Sequence, residues 1–212
     1  MHPETETLER GPVAVEPVAP PCVRVAIVCP GPSLCDFPGS DGFSSVIAVN
    51  RAAKAVRVDY WVCLDHHTFG DAWGGGTKTE QQKRDPLKPV GRPTLICSLS
   101  TFRRIGRRCP AVKRWKHENH QQLKFPKKKV RWHRWGWATA ILWAAIKLEA
   151  TEIECWGMDW VGQGDFDGFE HGKMRRDERR WAAERAQFGR LAAWWEGKGV
   201  RVTRHPRSEA MG

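Results

Sequence analysis

No apolar run in these 212 residues approaches the roughly 18 that a membrane-spanning helix needs. The opening MHPETETLERGPVAVEPVAPP also lacks the basic-then-apolar order of a signal peptide, so a cytoplasmic protein without membrane insertion is expected. No CxxC pair occurs among Cys22, Cys29, Cys35, Cys63, Cys97, Cys109 and Cys155, which removes the usual frame of a structural zinc site. Most of these cysteines sit in apolar runs, where a reduced thiol serves as a small core group. Neither GxGxxG nor a P-loop is found, which argues against a dinucleotide enzyme or an ATPase. Internal repeats are missing as well. Acid is nearly missing from one stretch: residues 101–135 hold thirteen Lys or Arg against the single acid Glu118. The net charge of +11 is therefore concentrated there, and the partner facing it should be anionic.

What is present reads as one α/β domain. Residues 1–21, rich in Glu and Pro with little to bury, are expected to form a disordered lead-in to a domain over 22–212. Val23–Cys29, Ser45–Val49, Asp59–Leu64, Thr94–Cys97, Glu152–Trp156 and Val200–Thr203 read as strands, apolar enough for a buried parallel sheet. Arg51–Val56 has room for only a short helix, and His66 to Arg92 reads as a long loop. The basic stretch at about 101–135 is taken as an insertion, with Lys129–Trp132 a possible short strand. GWATAILWAAIKL, Gly136 to Leu148, is apolar almost all round and suits a buried helix. Asp177 to Glu196 reads as an amphipathic helix with Trp181, Phe188, Leu191 and Trp195 on one face and Arg176, Arg179 and Arg190 nearly opposite. This alternation predicts an open, mainly parallel Rossmann-like sheet with helices on both faces.

Such sheets bind ligands at the carboxyl ends of their strands. Four predicted strands end in polar or glycine-bearing turns: Pro30-Gly31-Pro32-Ser33, Asn50, Asp65-His66-His67 and Gly157-Met158-Asp159. Gly31 would let a ligand approach the backbone, and Ser33 would offer a hydroxyl and an amide to a phosphate. For each turn alone, an ordinary strand-to-loop junction is the competing reading. Asp65-His66-His67 has metal-ligand side chains but no further ligands, so no metal is expected. His117 and His120 in HENH are read as surface residues.

VAIVCPGPSL, IAVNRA, DYWVCLD and the small-residue helix before TEIECWGMDW follow one another as they do in a known family. The chain resembles the Rossmann-like bacterial sialyltransferases of lipooligosaccharides and the related flagellin-modification and pterin pyrophosphokinase-like proteins, over roughly residues 23–65 and 131–204. The resemblance implies a nucleotide-sugar donor held by Gly31, Pro32, Ser33, Asn50, Trp135, Gly136, Gly157 and Asp159. It implies a histidine base just before the last long helix, the position of His171 in GFEHGKMRRDE. An imidazole titrating near neutrality suits deprotonation of an acceptor hydroxyl. Asp65 stands where those transferases tend to have an amide, and would touch a ribose, orient an acceptor or hold a divalent ion. The family's tyrosines that assist the leaving phosphate have no counterpart, because Tyr60 is the only tyrosine and lies within a strand. Lys173, Arg175 and Arg176 are the cations available nearby for that charge.

KFPKKKVRWHRWGW, Lys124 to Trp137, interleaves cations with tryptophan, and FRRIGRRCPAVKRWK precedes it. Arg103, Arg104, Arg107, Arg108, Lys127, Lys128, Lys129, Arg131 and Arg134 are the expected phosphate contacts to nucleic acid. A hydroxylated base in DNA is thus the favoured acceptor, as in the DNA-modification systems of bacteriophages, flipped out of the duplex to reach the site. A glycan-directed transferase and a non-catalytic nucleic-acid-binding protein are the alternatives.

Overall fold

The computed structural model describes residues 21–64, 89–108, 110–124, 135–161 and 177–206. Among the described residues seven strands form one sheet: β1 (Arg24–Val28), β2 (Ser45–Val49), β3 (Tyr60–Val62), β4 (Thr94–Cys97), β5 (His117–Asn119), β6 (Glu152–Trp156) and β7 (Arg201–Arg204). Their spatial order is β5-β4-β3-β2-β1-β6-β7, and every pairing is parallel. The α-helices among the described residues are α1 (Leu99–Arg108), α2 (Gly136–Lys147) and α3 (Glu178–Glu196).

The inner strands are short runs of aliphatic residues because both of their faces are covered. On one face Val25, Ile27, Ile47, Val49, Val62 and Ile96 pack beneath α2 and α3, whose Ile141, Leu142, Leu191 and Trp195 close the layer. The alternate residues Ala26, Val28, Ala48, Trp61, Leu95 and Cys97 face Leu34, Ala52, Ile105 and Val112 from α1 and the short 3₁₀ turns. α2 is buried along most of its length, which is why its sequence shows no polar face. Asp177 caps α3 by accepting from the Arg180 amide at 3.0 Å. The edge strands are short and polar, HEN and RVTR, so neither offers a long apolar ladder to another chain.

The chain steps outward from β1 to β5 with α1 and the 3₁₀ turns on one face. It then returns through α2 to β6, beside β1, with helices on the other face. The direction of winding therefore reverses between β1 and β6.

Two sequence readings change here. Of the basic insertion expected at about 101–135, the part up to residue 119 supplies most of α1 and the edge strand β5, which pairs with β4 in the sheet. Its helix was hidden because five of its ten residues are Arg or Gly, leaving only Phe102 and Ile105 to mark the apolar face. His120, read as a surface residue, is buried at 6 % exposure, and His117 stacks on Phe102 with ring centroids 4.2 Å apart. The possible strand at Lys129–Trp132 lies outside the described residues, as do residues 1–20 of the expected lead-in and most of the predicted 66–92 loop.

Candidate functional site at the carboxyl edge

The abrupt end of β1 has an intramolecular cause. The Cys29 amide donates to the Trp156 carbonyl at 2.8 Å and the Gly31 amide to the Gly157 carbonyl at 2.9 Å, carrying β1–β6 pairing past the strand ends. The Ser33 amide then donates to Asp159 Oδ2 at 2.7 Å, at the start of a 3₁₀ turn over Pro32–Asp36. A Cβ on Gly31 would stand 2.5 Å from both Asp159 Oδ2 and the Gly157 carbonyl oxygen. Its φ of −73° suits any residue, so close approach is what demands glycine here. Gly157 has a φ of +68°, and a Cβ there would collide with the Cys29 carbonyl. GPS and GMD are thus two halves of one clasp across the reversal point. The Ser33 amide, expected to meet a phosphate, is already engaged by a carboxylate. Ser33 Oγ and Asp159 Oδ1 are buried with no hydrogen-bond partner among the described residues.

A second group forms one strand further along. Asn50, directly after β2, has a left-handed φ of 49°, a conformation that asparagine tolerates better than most residues. Its carbonyl accepts from Trp61 Nε1 at 2.8 Å. The start of α2 presses on this corner. A Cβ on Gly136 would lie 2.6 Å from Val49 Cγ1, 3.9 Å from Asn50 Nδ2 and 4.0 Å from Val62 Cγ1. Trp135, the N-cap of α2, supplies no side-chain cap. A twelve-residue helix therefore begins beside a carboxamide without a cap from its N-cap side chain, and the positive end of its dipole favours an anion.

The third group is absent from the sequence reading. Glu184 is buried among the apolar residues of α3, at 5 % exposure. Its Oε2 accepts from Trp137 Nε1 at 3.0 Å and its Oε1 from Arg180 Nε at 2.9 Å. The Arg180 guanidinium lies 5.7 Å from the Trp135 ring centroid and 5.5 Å from that of Trp181. The available signal was a carboxylate three residues after Trp181, on the face assigned to the core. Cys29, fully buried, has its thiol pushed well up by desolvation, with Cys155, Glu184 and Asp159 adding to the effect. It stays a protonated core group and offers no nucleophile.

Gly31, Pro32, Ser33, Gly157 and Asp159 therefore meet in the clasp, and Asn50, Trp135 and Gly136 meet at the α2 start. Arg103, Arg104 and Arg107 are exposed on α1, which ends at Arg108. Asp65, His66, His67, Lys127, Lys128, Lys129, Arg131, Arg134 and His171 lie outside the described residues. Among the described residues no group of three or more His, Cys, Asp or Glu is arranged to hold a metal ion, and no helix is long and apolar enough to cross a membrane. No protein-family model, curated protein or solved structure matches the chain.

Proposed function

We propose that the protein is a glycosyltransferase that takes a sugar from a nucleotide-sugar and gives it to a hydroxyl, that of a hydroxylated base in DNA. The observation that carries this reading is the corner formed by left-handed Asn50 and the N-terminus of α2, at the carboxyl edge of a parallel sheet. The carboxamide suits the hydrogen-bonding edge of a base or ribose, and the amides of the first helical turn suit a phosphate. The clasp at Gly31 shifts the expected phosphate contact from the Ser33 amide to the α2 start, since Asp159 would repel an anion from the former.

In the reaction the acceptor oxygen bonds to the anomeric carbon while the bond from that carbon to the phosphate oxygen breaks. The nucleotide departs with the electron pair, and a base takes the acceptor proton. His171 is the base assigned by the family resemblance. The exposed arginines of α1 support a polyanionic acceptor, as Lys113, Arg114 and Lys116 continue the same charge toward β5.

Single-turnover transfer of labelled sugar from CMP-, UDP- and GDP-sugars to duplex DNA bearing 5-hydroxymethyl bases tests this. One donor should support transfer, and His171→Ala should slow it by about 10²–10⁴. Absence of transfer from every donor to this DNA would remove the DNA-directed reading. Transfer to a glycan acceptor instead would keep the donor site and replace the acceptor.

A further inference from the structure

The pairing of Arg180 with Glu184 has features that stability does not demand. Taking a carboxylate out of water is costly, and a well-packed apolar pair often serves a core as well or better. Here the Glu184 side chain keeps 6 % of its exposure and the Arg180 side chain 26 %, so the carboxylate lies inward and the guanidinium reaches toward solvent. Glu184 uses one oxygen on Trp137 and one on Arg180 Nε. Both of its oxygens are satisfied, which fixes the carboxylate. The guanidinium is flanked in turn by the rings of Trp135 and Trp181. Among the described residues neither Nη nitrogen of Arg180 donates a hydrogen bond. An arginine anchored through Nε, with its outer fork unengaged, is pre-organised for a second oxyanion.

Its location gives that oxyanion a class. Trp135, one of the two flanking rings, is the N-cap of α2, and its neighbour Gly136 adjoins Asn50. Arg180 itself stands in the first turn of α3. The guanidinium and the N-terminus of α2 thus belong to the same corner of the carboxyl edge.

We infer that Arg180 receives a phosphate of the bound nucleotide, and that Glu184 is the positioning residue that holds its guanidinium in place. This deepens the donor-site reading above and rests on it. Arg180 supplies positive charge as the nucleotide departs, the task for which this chain has no spare tyrosine.

The test is calorimetric titration of the full-length protein with CMP, UDP and GDP and with the matching nucleosides. The wild type should bind one nucleotide more tightly than its nucleoside. Arg180→Gln should weaken that nucleotide about 10- to 100-fold while leaving the nucleoside affinity unchanged, which removes the preference. Arg180→Lys, the variant to read if Arg180→Gln does not fold, should lose most of the preference too, because an ammonium lacks the fork. Glu184→Gln should weaken the nucleotide selectively but less, since it keeps an acceptor while releasing the ionic hold. A wild-type nucleotide preference retained in the folded Arg180 variants would overturn the inference and leave the donor site standing. Failure of the wild type to bind any nucleotide would overturn both.

Discussion

Gly31→Ala should destabilise the protein far more than a surface glycine substitution does. The added methyl would stand 2.5 Å from the Gly157 carbonyl oxygen and from Asp159 Oδ2. The carbonyl is backbone, held by the Gly31 amide at 2.9 Å, and Gly157 is itself packed on Cys29. The carboxylate can swing aside only by releasing the Ser33 amide. Relief therefore breaks one neutral and one charge-assisted hydrogen bond. Together these are worth roughly 2–4 kcal/mol, a large share of the about 5–15 kcal/mol that holds a domain. With a urea slope of about 2 kcal/mol/M, the midpoint followed by tryptophan fluorescence should fall by roughly 1–2 M. Asp159→Ala removes only the charged bond, so combining the two substitutions should cost less than their sum, because that bond is lost once. A midpoint shift for Gly31→Ala below about 0.3 M, or strict additivity in the pair, would refute the clasp.

Stability should also fall at alkaline pH. Burial pushes the Cys97 thiol up to about 12 and raises those of Cys29 and Cys155 from an ordinary 9.0, so the folded state keeps protons that the unfolded state releases. The contribution is whole below pH 9 and is lost as pH rises toward 12, at up to about 1.4 kcal/mol per pH unit for each fully buried thiol. Urea midpoints measured between pH 8 and 11 check this, and a flat profile would contradict it. Thiol labelling of the native protein at pH 8 should reach the exposed Cys22 and Cys35 long before those three. Replacing Arg103, Arg104 and Arg107 with Ala should weaken duplex DNA binding and lower the slope of log affinity against log salt by about 0.9 per phosphate contact removed. An unchanged slope would free α1 from the acceptor interface.

The sheet was readable because its inner strands are aliphatic runs bounded by Gly, Pro and Asn, so β2, β4 and β6 match their expected spans. β5 was not, since HEN has neither β-branching nor an apolar alternation, and only its neighbour β4 makes it a strand. α1 was masked by the same arginines that suggested a partner. At the carboxyl edge the two turns singled out in the sequence meet each other, and that pairing was not legible in it. GPS and GMD lie 126 residues apart across the Ser33–Asp159 bond, and nothing in either turn announces the other. Glu184 is not legible in the sequence because periodicity marks which face is buried, not that a carboxylate on it will find Trp137 and Arg180.

Asn50→Gly separates ligand binding from folding at the proposed donor corner. Glycine adopts a φ near 49° freely, so the variant should keep or slightly raise the melting temperature while losing only the carboxamide. Affinity for the nucleotide that the wild type binds, measured by calorimetry on both proteins, should fall by about tenfold or more. Equal affinity in the folded Asn50→Gly protein, or no nucleotide bound by the wild type, would contradict a donor site at this corner.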